Sequence, residues 1–213
     1  MVREFTQICA DVNTVDWKGN PIKIANAPAL QDKKTGRIWY EPQAIARAEF
    51  RQFADSLGLI PRQIPLLLMF YAQPGSFQRG YLNNKYKLNK MLFYQWKELE
   101  KVGLGEAFEH DEFVKDKKGP VPKNLYDDLR TLADRGLINV SGGPKEHKTL
   151  TADMTKDGHH IAENIWKYVP PQYKEITTTV KSWLFPLNPN TIKDRVHEDY
   201  PEFRKIYKEL DEE

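Results

Sequence analysis

One cysteine, Cys9, stands among 213 residues. A lone thiol excludes an internal disulfide framework and a thiolate metal cage, so a reducing cytoplasm is the expected compartment. Long apolar runs are missing as well. The longest, from Ile64 to Ala72 with Pro65 inside it, is far below the roughly 18 residues that span a bilayer. The opening MVREFTQICADVN has no apolar region of secretory type, so no membrane partner is expected. An excess of one charge is also absent: 32 basic and 30 acidic residues leave a net charge of +2, which gives no global field for nucleic acid or anionic lipid. There is no G-x-S-x-G elbow, Walker loop or H-E-x-x-H helix. The histidines, His110, His147, His159, His160 and His197, lack the i, i+4 spacing of paired metal ligands, so neither metal nor cofactor is expected. Asp127-Asp128 and Asp111-Glu112 diverge as chain neighbours, where acid–base catalysis needs groups that converge on one bond. Cys9 reads as a small buried apolar residue with no base beside it. The chain is therefore not expected to be an enzyme.

What is present is an ordinary globular composition, 40% apolar and 29% charged, long enough for one large core with a small appendage. Residues 12–26 (VNTVDWKGNPIKIAN) alternate β-formers with polar residues around a Gly-Asn-Pro turn, the pattern of a hairpin. A turn at residues 32–36 leads to a short strand at 37–40. Pro42 then opens a helix with Ala46, Phe50, Phe53, Ala54 and Leu57 on one stripe and Gly58 as its stop. Residues 1–60 thus read as a small module of β-hairpin plus helix, and 61–213 as a helical domain. In that domain residues 64–71 are apolar all round, a buried central helix, and 76–85 are a polar surface loop. From Tyr86, the stripe Leu88, Met91, Leu92, Trp96, Leu99 and Val102 marks an amphipathic helix ending at Gly103. Gly119-Pro120-Val121-Pro122 opens the next, with Leu125, Leu129, Leu132 and Ala133 inward. A strand at 137–140, a turn and a return strand at 148–151 follow as a wing, then a helix at 156–168 capped by Thr155. A further helix runs to Pro186, and a last one, over 191–210, is broken at Tyr200-Pro201. The fold class expected is α+β, mostly α, with a winged-helix-like subunit.

Two surfaces stand out as binding candidates. On the helix from Tyr86, the residues Tyr86, Lys90, Phe93, Tyr94 and Lys97 lie off the apolar stripe. Such a helix is either sandwiched between two layers or offers an aromatic-basic docking face. On the following helix the outward set is Lys123, Asn124, Asp127, Asp128, Thr131 and Asp134, with Arg130 and Arg135 nearby. In a winged helix this face would enter the major groove, but its three carboxylates cancel the attraction to phosphates that carries most duplex affinity. The partner favoured is a protein, with DNA as the runner-up. Lys117, Lys118, Lys145, His147 and Lys148 are the phosphate contacts that the DNA reading would use.

The segments LLLMFYAQPG, K-L-N-K-M-L-F-Y (residues 87–94) and G-P-V-P-x-x-L-Y (119–126) resemble the Panacea domain, a helical family with SocA-like and YwgA-like, phage-associated members. Lys90, Leu92, Phe93 and Tyr94 match its first motif and Gly119, Pro120, Val121 and Tyr126 its second; the resemblance covers about residues 64–168. It implies an antitoxin of a type II toxin–antitoxin pair, which neutralises a cognate protein toxin by direct binding. Among the toxins of such pairs are alarmone-synthetase-like enzymes that block translation, and SocA-like members can serve as protease adaptors. It carries over no catalytic residue. The first module is similar to the front end of MqsA or YgiT-type antitoxins, but residues 29–40 have none of the cysteines that hold zinc there. Packing by Trp17, Trp39 and Phe50 would have to replace the metal. The expected partner-binding residues are Tyr86, Lys90, Tyr94, Gly119, Pro120, Tyr126, Asp127, Asp128 and Asp134, with no cofactor. A winged-helix transcriptional regulator is the alternative, and homo-oligomerisation stays open.

Overall fold

The computed structural model describes residues 4–15, 21–40, 54–72, 81–82, 84–105, 112–114, 119–143 and 148–203. The expected hairpin turn at 18–21, the start of the first helix at Pro42, Trp17, Phe50, the loop tip at 76–80, Lys117 and Lys118, the wing tip at 144–147 and the chain after Phe203 fall wholly or mainly outside these residues.

Strand β1 (Phe5–Val15) pairs antiparallel with β2 (Pro21–Asp32), which pairs in turn with β3 (Ile38–Tyr40). The hairpin is longer than its alternating pattern suggested, because β2 continues through Pro28 to Asp32. The turn before β3 is held by the Asp32 carboxylate, which accepts from the N–H groups of Lys34 at 2.8 Å and Thr35 at 3.0 Å, as short acidic side chains do in turns. Alternation sets the faces of β1: Ile8 and Ala10 are half-buried and Val12 buried, while Gln7, Cys9, Asp11 and Asn13 are exposed. Cys9 is therefore a surface residue and not the buried one expected.

The main core gathers around α1 (Gln63–Tyr71), every residue of which is buried. Its apolar run has no polar stripe, so it must be covered on all sides; α2 (Lys85–Lys101), α4 (Lys156–Tyr168), α5 (Pro171–Leu184) and a strand pack around it. Val12, Ala27 and Ala29, the buried apolar residues of the hairpin, lie outside this core cluster, whose members run from Ala54 to Val196. Between α2 and the next helix, β5 (Phe113–Val114) pairs with β6 (Val121–Pro122). Residues 121–122 are thus strand, and α3 (Leu125–Asp134) begins later than the Gly-Pro signal implied.

After α3, β7 (Ile138–Gly143) and β8 (Lys148–Met154) form the expected antiparallel wing. A two-residue strand β4 (Tyr81–Leu82) adds to β8; its residues were expected in a loop, and two residues are too few to show alternation. Thr155 caps α4 as its sequence context implied: its hydroxyl accepts from Gly158 N–H at 3.0 Å and donates to the Gly136 carbonyl at 2.6 Å. Gly158 packs on the backbone of Leu137, and a Cβ there would overlap that carbonyl oxygen. Helix α6 (Pro189–Asp199) is capped by Asn188 and followed by a short 3-10 turn at Pro201–Phe203. The architecture is α+β and mostly α.

Candidate partner-binding surface

Helix α2 starts at Asn84, whose side chain accepts from Tyr86 N–H at 2.8 Å and Lys87 N–H at 3.4 Å. Seventeen residues long, it is enclosed on two sides, with residues 88–95 all buried. That is the sandwiched alternative of the sequence reading, and it removes the docking face expected on this helix. Lys90 is fully buried, its ammonium donating to the Pro120 carbonyl at 2.8 Å and lying 5.2 Å from the centre of the Tyr86 ring. The adjacent Gly119 has φ 90, and a Cβ at that position would come within 3.0 Å of Lys90 Nζ. A glycine is required twice there, for the backbone conformation and for the close approach of the cation.

Tyr94 is buried among aromatic rings, edge-on to Trp183 at 5.0 Å and to Tyr200 at 5.6 Å, and its hydroxyl donates to Asp199 at 2.6 Å. Burial, reinforced by that hydrogen bond, holds the phenol well above its ordinary pKa, so it stays a neutral donor. Phe93, on the same supposed face, stacks edge-on with Phe113 and Tyr200 inside the core.

Asp128 is the second correction. Expected at the surface, it is 3% exposed. Its carboxylate accepts from Arg62 Nε at 2.9 Å and from Gln63 Nε2 at 3.0 Å, and the Gln63 carbonyl oxygen accepts from Ile60 N–H at 3.0 Å. Arg62 and Asp128 edge a small cleft walled by Leu66, Leu92, Phe113 and Leu125. With donors on both oxygens, the carboxylate ties the start of α1 to α3. Neither Arg62 nor Gln63 was singled out by the sequence. The signal for Asp128 lay in its spacing: it is i+3 from Leu125 and i−4 from Leu132, within the inner stripe.

Of the nine expected binding residues, Lys90, Tyr94, Gly119, Pro120 and Asp128 are buried and Tyr86 is half-buried. Lys90 ties α2 to the segment at Gly119 and Pro120, Tyr94 ties α2 to Asp199 at the end of α6, and Asp128 ties α3 to the start of α1. Tyr126, Asp127 and Asp134 are exposed on the outer side of α3, together with Lys123 and Arg130. Tyr126 keeps 39% of its surface open. The ammonium of Lys85 bonds its hydroxyl and lies 3.8 Å from its ring centre, which fixes the ring while leaving it open to solvent. Lys123 pairs with Glu112 at 2.8 Å, so part of the positive charge beside the two aspartates is already neutralised.

The described residues contain no group of three or more histidine, cysteine, aspartate or glutamate side chains that could hold a metal. Among them, no helix is long and apolar enough to cross a membrane. No protein-family model matches the chain, and no curated protein or solved structure matches it either.

Proposed function

We propose that this protein is a non-enzymatic, cytoplasmic antitoxin that neutralises a cognate protein toxin by direct binding, with the outer side of α3 as the docking surface. The observation that carries the reading is the exposed, clamped Tyr126 beside Asp127 and Asp134. A tyrosine held in place desolvates a large area with little further loss of side-chain freedom, which is why aromatic side chains anchor protein interfaces. The two free carboxylates suit a basic partner surface, such as the substrate site of a toxin that acts on RNA or nucleotides, and binding there would occlude it. The buried joint supports the same reading from inside. It connects the two segments on which the family resemblance rests, through Lys90 and Pro120, while Asp128 ties α3 to α1.

Growth arrest by a toxin encoded beside this chain, and relief of that arrest on co-expression, is the decisive experiment. Tyr126→Ala should weaken the complex by about 30-fold, the range of an interface anchor. Charge reversal of Asp127 and Asp134 together should abolish neutralisation, and full neutralisation by that double variant would remove the surface from consideration.

The runner-up, a winged-helix regulator, rests on one observation: α3 is followed directly by the β7–β8 hairpin, the order of a recognition helix and its wing. Duplex binding would fall steeply with salt, whereas a toxin complex with an apolar centre would change far less.

A further inference from the structure

Among the described residues, β1 has one side along which no strand pairs. Its ladder with β2 fixes which backbone groups are spent. Lys33 N–H donates to the Glu4 carbonyl at 3.1 Å, and Asp32 N–H donates to the Arg37 carbonyl at 2.9 Å on the side of β3. Hydrogen-bonded and non-bonded pairs alternate in an antiparallel ladder. Phe5, Gln7 and Cys9, opposite Asp32, Leu30 and Pro28, therefore occupy the non-bonded positions. Pro28 agrees, since proline has no N–H to give. The N–H and C=O groups of Phe5, Gln7 and Cys9 consequently point away from β2. The register slip between Ala10 and Val12 places the extra residue in β2, so β1 keeps its phase, and Asn13 and Val15 (the latter opposite Pro21) face the same way. Asp11 is the exception on this side, its carbonyl accepting from the Tyr40 hydroxyl at 2.8 Å. Among the described residues no strand lies along this edge.

We propose that this edge pairs with β1 of a second copy of the chain, in an antiparallel junction whose two-fold axis passes near Cys9. Apart from the register slip, whose extra residue lies in β2, the edge carries few of the usual devices against pairing: β1 has no proline and no lysine, and its only charged residue, Asp11, is paired with Lys23 of its own hairpin at 2.6 Å. It is also self-complementary. Antiparallel pairing about Cys9 sets odd residues opposite odd ones, so the polar Gln7, Cys9 and Asn13 side chains share one face. Ile8, Ala10 and Val12 of both copies then extend one apolar layer. Asp11 falls opposite Gln7 or Cys9 of the second copy and never opposite another carboxylate.

The test uses the purified full chain alone. Sedimentation velocity should give a monomer–dimer equilibrium, and a short bis-maleimide should link Cys9 to Cys9, the only thiols in the sample. Gln7→Pro removes an edge-facing N–H without touching the β1–β2 ladder. It should weaken dimerisation at least about tenfold, the loss of two symmetry-related hydrogen bonds, with the circular dichroism spectrum unchanged; Gln7→Ala should leave the dimer intact. Should Gln7→Pro fail to fold, Asn13→Pro repeats the test at the far end of the edge, and the Cys9 cross-link stands without any variant. A chain that stays monomeric at high micromolar concentration overturns the proposal. So does a dimer that Cys9 does not bridge, or an edge filled only by another protein's strand.

Discussion

The inner and outer sides of α3 carry the same residue types in different surroundings, and Asp127 and Asp128 make the contrast sharpest. One faces water; its chain neighbour is enclosed by Arg62, Gln63 and apolar walls. Tyrosines and lysines divide in the same way. Tyr94 and Lys90 are buried and bond Asp199 and the Pro120 carbonyl, whereas Tyr126 and Lys85 bond each other at the surface. The lesson is that residue type told less than helical phase. A rotation of about 100° per residue is enough to turn an exposed carboxylate into a structural tie.

The largest loss of stability is expected at Asp128. Asp128→Ala removes a buried carboxylate that accepts from half-buried Arg62 and takes from buried Gln63 the acceptor of its amide N–H, so urea unfolding should show a loss of about 2 kcal/mol. A loss below about 0.5 kcal/mol, the range of surface substitutions, would mean that the ion pair does not tie α1 to α3. Lys90→Met comes next. It keeps the volume but orphans the Pro120 carbonyl, and about 2 kcal/mol should go. Gly119→Ala acts on the same joint from the other side, through both its φ of 90 and the 3.0 Å approach to Lys90 Nζ.

Lys181 offers a comparison in pH. It is 1% exposed, and its ammonium donates to the carbonyls of Phe70 and Ala72, each at 2.8 Å, at the end of α1. The position suits a cation, because the last carbonyls of a helix lack partners. Burial nevertheless pushes its pKa down to about 7 from 10.5. An amine with a folded pKa below its unfolded one holds its proton less tightly in the folded chain. The resulting penalty is absent above about pH 10.5, builds as pH falls towards 7 and is complete below that. Wild-type stability relative to Lys181→Met should therefore rise as pH is raised from 7 to 10. A difference that stays flat across that window would mean that the amine keeps its ordinary affinity for the proton.

Much of the fold was legible in the chain, for identifiable reasons. The boundaries of α4 follow from Thr155 and the Pro170-Pro171 pair, and the enclosure of α1 follows from nine residues without an apolar–polar period. The site was legible only in part. Lys90, Asp128 and Lys181 were missed as internal ties because charged residues are rarely fully buried, although Asp128 and Lys181 lie on inner stripes and Lys90 shares a helix face with Phe93 and Tyr94. Lys181 continues the run Tyr173, Thr177, Leu184, all buried. Their partners could not be read at all: Pro120 is 30 residues from Lys90, Gln63 is 65 from Asp128 and Phe70 is 111 from Lys181. Such pairings are products of tertiary packing, and no local period records them.

The smallest expected effect on stability is the most informative one for function. Asp127→Ala removes a carboxylate exposed to water, and its stability should stay within about 0.5 kcal/mol of wild type. If the outer side of α3 docks a basic partner, the same substitution should slow association with the toxin most at low salt, where charge steering acts. Asp128→Ala should show the reverse, a stability loss whose effect on binding follows only from the unfolded fraction. Measuring both variants for unfolding and for association rate at two salt concentrations separates the roles of two adjacent side chains. An Asp127→Ala association rate unchanged at low salt would detach that carboxylate from recognition and leave Tyr126 and Asp134 to test there.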